Sequence, residues 1–212
     1  MYSLDNLDEN LLKYLNFENG FYIEAGANDG ISQSNTFLYE QKYNWTGLLV
    51  EPNIPKYNQC LINRPKSIVE NYALVSENYK DKFIEGDFIH EDCHNSLTGM
   101  VMDEGDYCDN SLRFHKNERK EQYELVKVPA ITLTKLLEKH NVNKVDFLSL
   151  DVKGYEISVL NGIDFEKFSP TYCLIETTTD QSRIDVISNY MKDKNYEVVE
   201  RMSGNDFLYK IK

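Results

Sequence analysis

VDFLSLDVKGYEISVLNGIDF, at residues 145–165, joins an apolar segment to an Asp, a Gly and an amphipathic helical pattern. Residues 145–150 are mostly apolar, which is typical of a strand buried on both faces of a parallel sheet. Asp151 then lies at the carboxyl end of this strand, where open α/β sheets bind ligands. Asp151 either caps the helix that begins near Tyr155 or acts on a ligand. The neighbouring Lys153 and Glu156 favour the second interpretation.

Strand and helix patterns alternate along most of the chain, and this alternation predicts a parallel sheet with right-handed crossovers. Strands are predicted at 21–25, 47–51, 67–75, 128–131, 145–150 and 171–176. Helices are predicted at 36–43, 52–63, 133–140, from about 155, and at 181–192. Residues 196–199 and 207–211 predict a terminal antiparallel pair. The fold class is therefore α/β, a Rossmann-like doubly wound sheet that is mostly parallel, with a C-terminal antiparallel strand pair.

The length of 212 residues fits a single domain, 1–212, without disulfides or metals to stabilise it. Leucines on one helical face predict an N-terminal helix at residues 4–15. The periodicity breaks at residues 78–127, where polar residues and glycines replace it. Long irregular segments in compact domains are often functional, so we expect an insertion on the substrate side.

Composition and charge limit the classes of partner. A formal net charge of -12 disfavours binding to nucleic acid or to anionic lipid. No apolar run has the length of a membrane span, and the first residues do not resemble a secretory signal. The four cysteines have no CxxC spacing and predict no disulfide framework. We therefore expect a reduced, cytoplasmic protein, and the sequence leaves homo-oligomerisation open.

A short glycine-containing loop, EAGANDG at residues 24–30, follows the first predicted strand, where doubly wound folds hold nucleotide-like ligands. It lacks the GxGxxG spacing and the phosphate-binding Lys of a P-loop, and its acids would repel a pyrophosphate. A cationic ligand fits better, and S-adenosylmethionine carries both a sulfonium and an ammonium group. The predicted cofactor contacts in this loop are Glu24, Gly26, Ala27, Asn28, Asp29 and Gly30.

The ends of the next two strands extend this predicted nucleoside site. The second strand ends in Glu51, Pro52 and Asn53, and an acid in this place can accept both ribose hydroxyls. The third strand contains the sequence Asn71-Tyr72-Ala73, and Ala73 and Asp151 complete the predicted cofactor contacts.

The segments EAGANDG, LLVEPN, NYALVS, PAITLTKLL and VDFLSLDVKGYEISVLNGIDF together resemble the FkbM family of S-adenosylmethionine-dependent methyltransferases, over roughly residues 20 to 178. The resemblance implies a class I methyltransferase fold and a cofactor site formed by residues 24–30 with Glu51. It also implies O-methylation, often of a sugar hydroxyl in a glycan or natural product.

The chain departs from this family at Lys153, because the family usually carries an acid there and LDVEG has become LDVKG. Two interpretations are open. Lys153 is either a solvent-exposed substitution, which we slightly favour, or a catalytic residue in the site. In the second case, it deprotonates a hydroxyl after burial lowers its pKa, or it stays charged and stabilises an alkoxide.

An alcohol is a poor nucleophile at neutral pH, so methyl transfer to it calls for a base or a divalent ion. Asp151 is the leading candidate base, and His94 in the insertion is the alternative. Asp151 and Glu176, at the ends of two successive strands, are candidate oxygen ligands for Mg²⁺ or Mn²⁺. Whether the protein needs such an ion stays open at this point.

The resulting prediction is an S-adenosylmethionine-dependent O-methyltransferase that acts on a sugar hydroxyl in a glycan, a polysaccharide or a sugar-nucleotide precursor. One alternative is a methyltransferase for a small-molecule acceptor that is not a sugar. The other is a noncatalytic module that binds the cofactor but, with Lys153 in place of an acid, has lost turnover.

Overall fold

The computed structural model describes residues 2–89, 99–102, 123–177 and 179–212. The predicted N-terminal helix is interrupted. A 3-10 turn at Leu4–Asn6 precedes α1 (Leu7–Asn10), and a second 3-10 turn follows at Leu11–Lys13. Asp5 and Asn6 have φ angles of 49° and 59°, which an α-helix does not accommodate. The continuous helix was therefore a wrong prediction, although Leu7, Leu11 and Leu15 are buried as their spacing predicted.

Eleven strands lie within the described residues and form two sheets. They are β1 (Phe21–Ala25), β2 (Thr46–Val50), β3 (Ile68–Glu70), β4 (Ala73–Leu74), β5 (Phe83–Ile89), β6 (Gly99–Met102), β7 (Tyr123–Ile131), β8 (Phe147–Leu150), β9 (Tyr172–Glu176), β10 (Tyr196–Arg201) and β11 (Asp206–Ile211). The larger sheet has the order β10-β11-β9-β8-β1-β2-β3. Its pairs are parallel from β3 to β9, whereas β11 runs antiparallel to both β9 and β10. This confirms the predicted fold class.

Helices follow most strands of the larger sheet, and one, at Leu133–Lys139, follows β7 of the smaller sheet. They are α2 (Phe37–Lys42), α3 (Ile54–Asn63), α4 (Leu133–Lys139), α5 (Glu156–Leu160) and α6 (Gln181–Asp193). Alternate residues of the central strands enter two separate apolar clusters, with Ile23 and Leu148 in one and Tyr22 and Phe147 in the other. Both faces of these strands are thus buried, which explains their nearly continuous apolar sequence.

The smaller sheet has the order β4-β7-β5-β6 and corrects two predictions. The predicted strand at 67–75 is divided, because β3 joins the larger sheet and β4 pairs with β7. The predicted irregular insertion at 78–127 contains β5, β6 and the beginning of β7. In the β5–β7 pair, Ile84 and Val128 are both buried, and the adjacent Glu85 and Lys127 are exposed. This alternation of period two is the signal of a half-buried antiparallel strand.

Residues 90–98 and 103–122 of the predicted insertion lie outside the described residues, and so does the candidate base His94. Among the helices of the described part of the chain, none is long and apolar enough to cross a membrane.

Candidate active site

The carboxyl ends of the neighbouring strands β2, β1 and β8 bring three predicted segments together. Ala25 is in register with Val50 on one side and with Leu150 on the other. The next residue of each strand end continues this pairing, since Gly26 N–H donates to the Val50 carbonyl (3.0 Å) and Asp151 N–H donates to the Ala25 carbonyl (3.1 Å). The cofactor loop and Asp151 are therefore fixed side by side at the edge where α/β sheets bind ligands.

Gly26 is required by this close approach. Its φ angle is 82°, which favours glycine, and a Cβ atom added to it would lie 1.9 Å from the Asp151 carbonyl oxygen. The backbone of the loop thus touches the backbone of the acceptor-side segment without an intervening side chain.

The Glu51 carboxylate fastens the loop to the end of β2. Its two oxygens accept hydrogen bonds from the backbone N–H groups of Asn28 (2.8 Å) and Asn53 (2.9 Å). Glu51 is only 2 % exposed, and burial raises its pKa from 4.5 to about 7 despite these two hydrogen bonds. Each carboxylate oxygen retains capacity for a further donor such as a ribose hydroxyl.

Asn71, Pro52 and Asn53 support the same strand end. The Asn71 side chain donates to the carbonyls of Glu51 (2.9 Å) and Pro52 (2.8 Å), and the Asn53 side chain caps α3 by accepting from Lys56 N–H. Ala73 is buried in β4 and pairs with Ala130 of β7. Cofactor contacts of Pro52, Asn53 and Ala73 stay predictions.

Asp29 and Glu24 shape the loop through their own hydrogen bonds. Asp29 accepts hydrogen bonds from the N–H groups of Ile31 (2.9 Å) and Ser32 (2.7 Å). Burial alone would raise the Asp29 pKa, but these hydrogen bonds outweigh burial and hold the pKa below its usual range. Glu24 accepts from the Thr36 hydroxyl (2.6 Å), among other donors. Since Glu24 is 4 % exposed, it has a structural role under the loop, and its direct contact with a cofactor stays a prediction.

Arg64, which sequence reasoning missed, is completely buried beneath this loop. Its guanidinium pairs with Glu40 (2.8 Å) and Glu24 (3.5 Å) and donates to the Gly30 carbonyl (2.7 Å). Burial alone would raise the pKa of Glu40, but the charge of Arg64 outweighs it and lowers that pKa. Arg64 stands in the polar sequence NRPK, which is typical of the surface, so the sequence carried no signal of its burial.

Two amide oxygens at the loop lack a hydrogen-bond donor. Within the described part of the chain, Asn28 Oδ1 and Asn35 Oδ1 are buried and have no partner. The Asn35 side-chain nitrogen donates to Ser149 Oγ of β8 (3.0 Å), which directs the amide towards the junction of β1 and β8. A buried acceptor without a donor costs about 1–3 kcal/mol, so these oxygens suit a ligand that brings N–H groups. Asn35 lies two residues before α2, and its sequence context carried no sign that its side chain reaches β8.

The predicted acceptor side consists of Asp151, Lys153 and Glu176. The Lys153 Nζ atom lies 2.7 Å from Asp151 Oδ1 and 2.8 Å from Glu176 Oε2. The Lys153 side chain is 21 % exposed, so the interpretation of Lys153 as a solvent-exposed substitution was wrong. Its φ angle of 53°, unusual for a residue with a side chain, turns it back towards the strand ends. The alternative role of Asp151 as a helix cap also fails, because α5 begins after Tyr155 without any side-chain cap.

The pKa values of Lys153, Asp151 and Glu176 depend on one another because the three side chains are in contact. Burial alone would lower the Lys153 pKa, but the two carboxylates outweigh it and raise that pKa. Lys153 therefore stays charged and cannot serve as a base. Burial would also raise the pKa of Asp151, but the Lys153 ammonium holds it below its usual range. Burial and the neighbouring Asp151 charge raise the pKa of Glu176 to about 9.

The predicted divalent-ion site does not fit this arrangement. The Lys153 ammonium already lies between Asp151 and Glu176, the two predicted ligands. Across the described ranges, no group of three or more His, Cys, Asp or Glu side chains is placed to hold a metal ion. A cation held by two carboxylates needs further oxygen ligands, and here a positive charge takes their place.

The chain is similar to proteins of one known family. Residues 24–198 match the Methyltransferase FkbM domain family. The crystal structure of Methyltransferase FkbM from Methylobacillus flagellatus KT superimposes with a TM-score of 0.55 and 12 % sequence identity, over 93 % of this chain and 45 % of that chain. At this identity the similarity supports the fold alone, and this chain spans less than half of the solved one. No curated protein matches the sequence. Since the family match extends over most of the chain, the chain belongs to the FkbM methyltransferase family.

Proposed function

We propose that the protein is an S-adenosylmethionine-dependent O-methyltransferase that acts on a sugar hydroxyl in a glycan, a polysaccharide or a sugar-nucleotide precursor. The observation that carries the proposal is the contact of Gly26 with the Asp151 carbonyl, because it joins the nucleoside-type loop to a cluster of charged side chains. Membership of the FkbM family supports methyl transfer, and the resemblance noted from the sequence supports a sugar acceptor.

The cofactor side suits S-adenosylmethionine in charge and in hydrogen-bonding capacity. We assign the ribose hydroxyls to the Glu51 carboxylate, which has capacity for them beyond its two backbone donors. The unpartnered oxygens of Asn28 and Asn35 suit the N–H donors of the cofactor, including its ammonium group. The absence of basic side chains among residues 24–30 agrees with a ligand that carries no phosphate.

The chain's own residues supply the acceptor chemistry. When bound, S-adenosylmethionine supplies the electrophilic methyl group. Asp151, which the Lys153 ammonium holds ionised, accepts a hydrogen bond from the acceptor hydroxyl and takes its proton as the oxygen reacts. The fixed loop and strand ends hold the reacting groups in place, and such positioning supplies much of the rate enhancement in group transfer.

The experiment that tests this proposal is a methyl-transfer assay with S-adenosylmethionine labelled in its methyl group and a panel of sugars, sugar nucleotides and nonsugar alcohols. We expect label in a sugar product that is stable to base, as a methyl ether is. Transfer only to a nonsugar hydroxyl would support the small-molecule alternative instead.

The noncatalytic alternative is favoured by one observation, the Lys153 that stands in place of the family's usual acid and occupies both carboxylates. It predicts that S-adenosylhomocysteine binds while no acceptor in the panel is methylated, and that Lys153→Glu restores turnover. A wild-type protein that methylates any acceptor excludes this alternative.

A further inference from the structure

The Lys153 ammonium occupies the place of a bridging cation at the acceptor side. Asp151 follows β8 and Glu176 ends β9, and these strands are neighbours in the larger sheet. One nitrogen, Lys153 Nζ, lies within 2.8 Å of a carboxylate oxygen from each. An oxygen-bound divalent ion would hold two such carboxylates in the same way, from a position between them.

Helix α6 holds the turn that carries Lys153, so the backbone fixes the position from which this side chain reaches the two carboxylates. Gly154 follows with a φ angle of 105°, and its carbonyl accepts a hydrogen bond from Arg183 of α6. Arg183 also pairs with the buried Glu156 (2.6 Å), whose other oxygen accepts from Gly154 N–H (2.9 Å). A left-handed conformation is strained for a residue with a side chain and persists only where the surroundings hold it, as they do here.

The charge of the cluster explains why a cation is needed there. Two partly buried carboxylates close together repel each other, which favours protonation of Glu176, and the Lys153 ammonium offsets the charge of Asp151. A glutamate at position 153, as in the family's usual pattern, would instead give three carboxylates and no cation. Three carboxylates are a plausible ligand set for Mg²⁺ or Mn²⁺, whereas the present set contains a positive charge that repels either ion.

We propose that Lys153 is a built-in cation that replaces a divalent metal ion at the acceptor side and positions Asp151 for the acceptor hydroxyl. The positioning of Asp151 rests on the proposed function, whereas the replacement of a metal ion by Lys153 does not depend on it. It identifies Lys153 as a positioning residue that acts through Asp151, and it makes methyl transfer independent of added metal and insensitive to chelators.

The test is a titration of the protein with Mn²⁺, followed by the electron paramagnetic resonance signal of the free ion. It needs neither cofactor nor acceptor, so its result is separate from that of the methyl-transfer assay. The variants are Lys153→Glu, which adds a third carboxylate, and Lys153→Arg, which keeps the charge. The matched control is Lys144→Glu, because Lys144 also pairs with an Asp (Asp146, 2.5 Å) but lies 74 % exposed at the other end of β8.

We expect Lys153→Glu to bind one Mn²⁺ at least about 10-fold more tightly than the wild type, Lys153→Arg or Lys144→Glu, since only this variant completes an acidic ligand set. Mn²⁺ should also raise the melting temperature of Lys153→Glu alone. If Lys153→Glu does not fold, Lys153→Gln replaces it, because loss of the ammonium alone should strengthen Mn²⁺ binding.

Two results would overturn the proposal. One is a wild-type protein that binds Mn²⁺ as tightly as Lys153→Glu, and the other is Lys153→Glu that binds no better than Lys144→Glu. For the positioning role, Lys153→Gln should raise the titration midpoint of Asp151 measured by carboxyl NMR, while Lys153→Arg should leave it near the wild-type value. An unchanged midpoint in Lys153→Gln contradicts that role.

Discussion

Replacement of Gly26 by alanine should damage both the stability of the protein and its affinity for the cofactor. The added Cβ would lie 1.9 Å from the Asp151 carbonyl oxygen, and neither side is free to move. Gly26 N–H is bonded to Val50, and Asp151 N–H is bonded to Ala25. The φ angle of 82° adds the strain of a left-handed residue with a side chain, about 1–2 kcal/mol. Displacement of the loop to relieve the overlap would break the bond to Val50, at about 1 kcal/mol.

The sum is about 2–3 kcal/mol, which corresponds to a fall in melting temperature of roughly 5–10 °C for a chain of this length. Because the displaced loop is the proposed cofactor site, the affinity for S-adenosylhomocysteine should fall at least about 10-fold. The matched control is Gly204→Ala, since a Cβ at Gly204 meets nothing within 4 Å. Thermal melting and calorimetry measure both quantities. A Gly26→Ala protein with the melting temperature and affinity of Gly204→Ala would refute the reasoning.

Three further predictions concern buried charge. Asp151→Asn should lower turnover about 100-fold or more while the protein stays folded. The labelled-methyl assay measures turnover, and circular dichroism checks the fold. Near-full turnover would exclude Asp151 as the base. Arg64→Met should destabilise the protein by about 3–5 kcal/mol in urea unfolding, because it leaves Glu40 buried without its counter-ion. Adding Glu40→Gln should recover part of this loss. Strictly additive losses of stability from the two substitutions would contradict the pairing. Burial raises the pKa of Glu51 from 4.5 to about 7, so the folded protein holds this proton more tightly than the unfolded chain does. The contribution of Glu51 to stability is therefore complete below pH 4.5 and is lost as the pH rises through 7. Wild-type stability should fall relative to Glu51→Gln by roughly 3 kcal/mol between pH 4 and pH 8, and a constant difference would contradict the shift.

The mostly parallel sheet with its C-terminal antiparallel pair, and the edge that carries the site, were predictable from the sequence. The apolar runs at 21–25 and 147–150 have residues buried on both faces, so their pattern could be recognised without knowledge of the packing. The segments EAGANDG and LLVEPN follow or end such strands, and the carboxyl ends of neighbouring parallel strands lie at one edge. That rule alone placed Glu51 and Asp151 near the loop.

The division of the third strand could not be predicted, because its cause is a long-range contact. The Asn71 side chain bonds to two carbonyls at the end of β2, and the chain then leaves the larger sheet for the smaller one. In the sequence only the polar pair Glu70-Asn71 marks this point, and such a pair does not by itself show that the chain changes sheets.

The positions of the Arg64 and Lys153 side chains could not be predicted either, since long cationic side chains are usually exposed. Arg64 is buried because two acids, Glu40 and Glu24, and the Gly30 carbonyl surround it, and these partners are 24 to 40 residues away in sequence. Lys153 faces the site because its backbone adopts a left-handed angle that the sequence KG only suggests. Both cases depend on tertiary partners rather than on local pattern.

The central claim, that the loop at residues 24–30 together with Glu51 forms a site for S-adenosylmethionine, is tested most directly by calorimetric titration of the wild-type protein with S-adenosylhomocysteine and S-adenosylmethionine. The account predicts one equivalent of each bound, with an affinity that Gly26→Ala lowers at least about 10-fold and Gly204→Ala leaves unchanged. A folded wild-type protein that binds neither compound would contradict it.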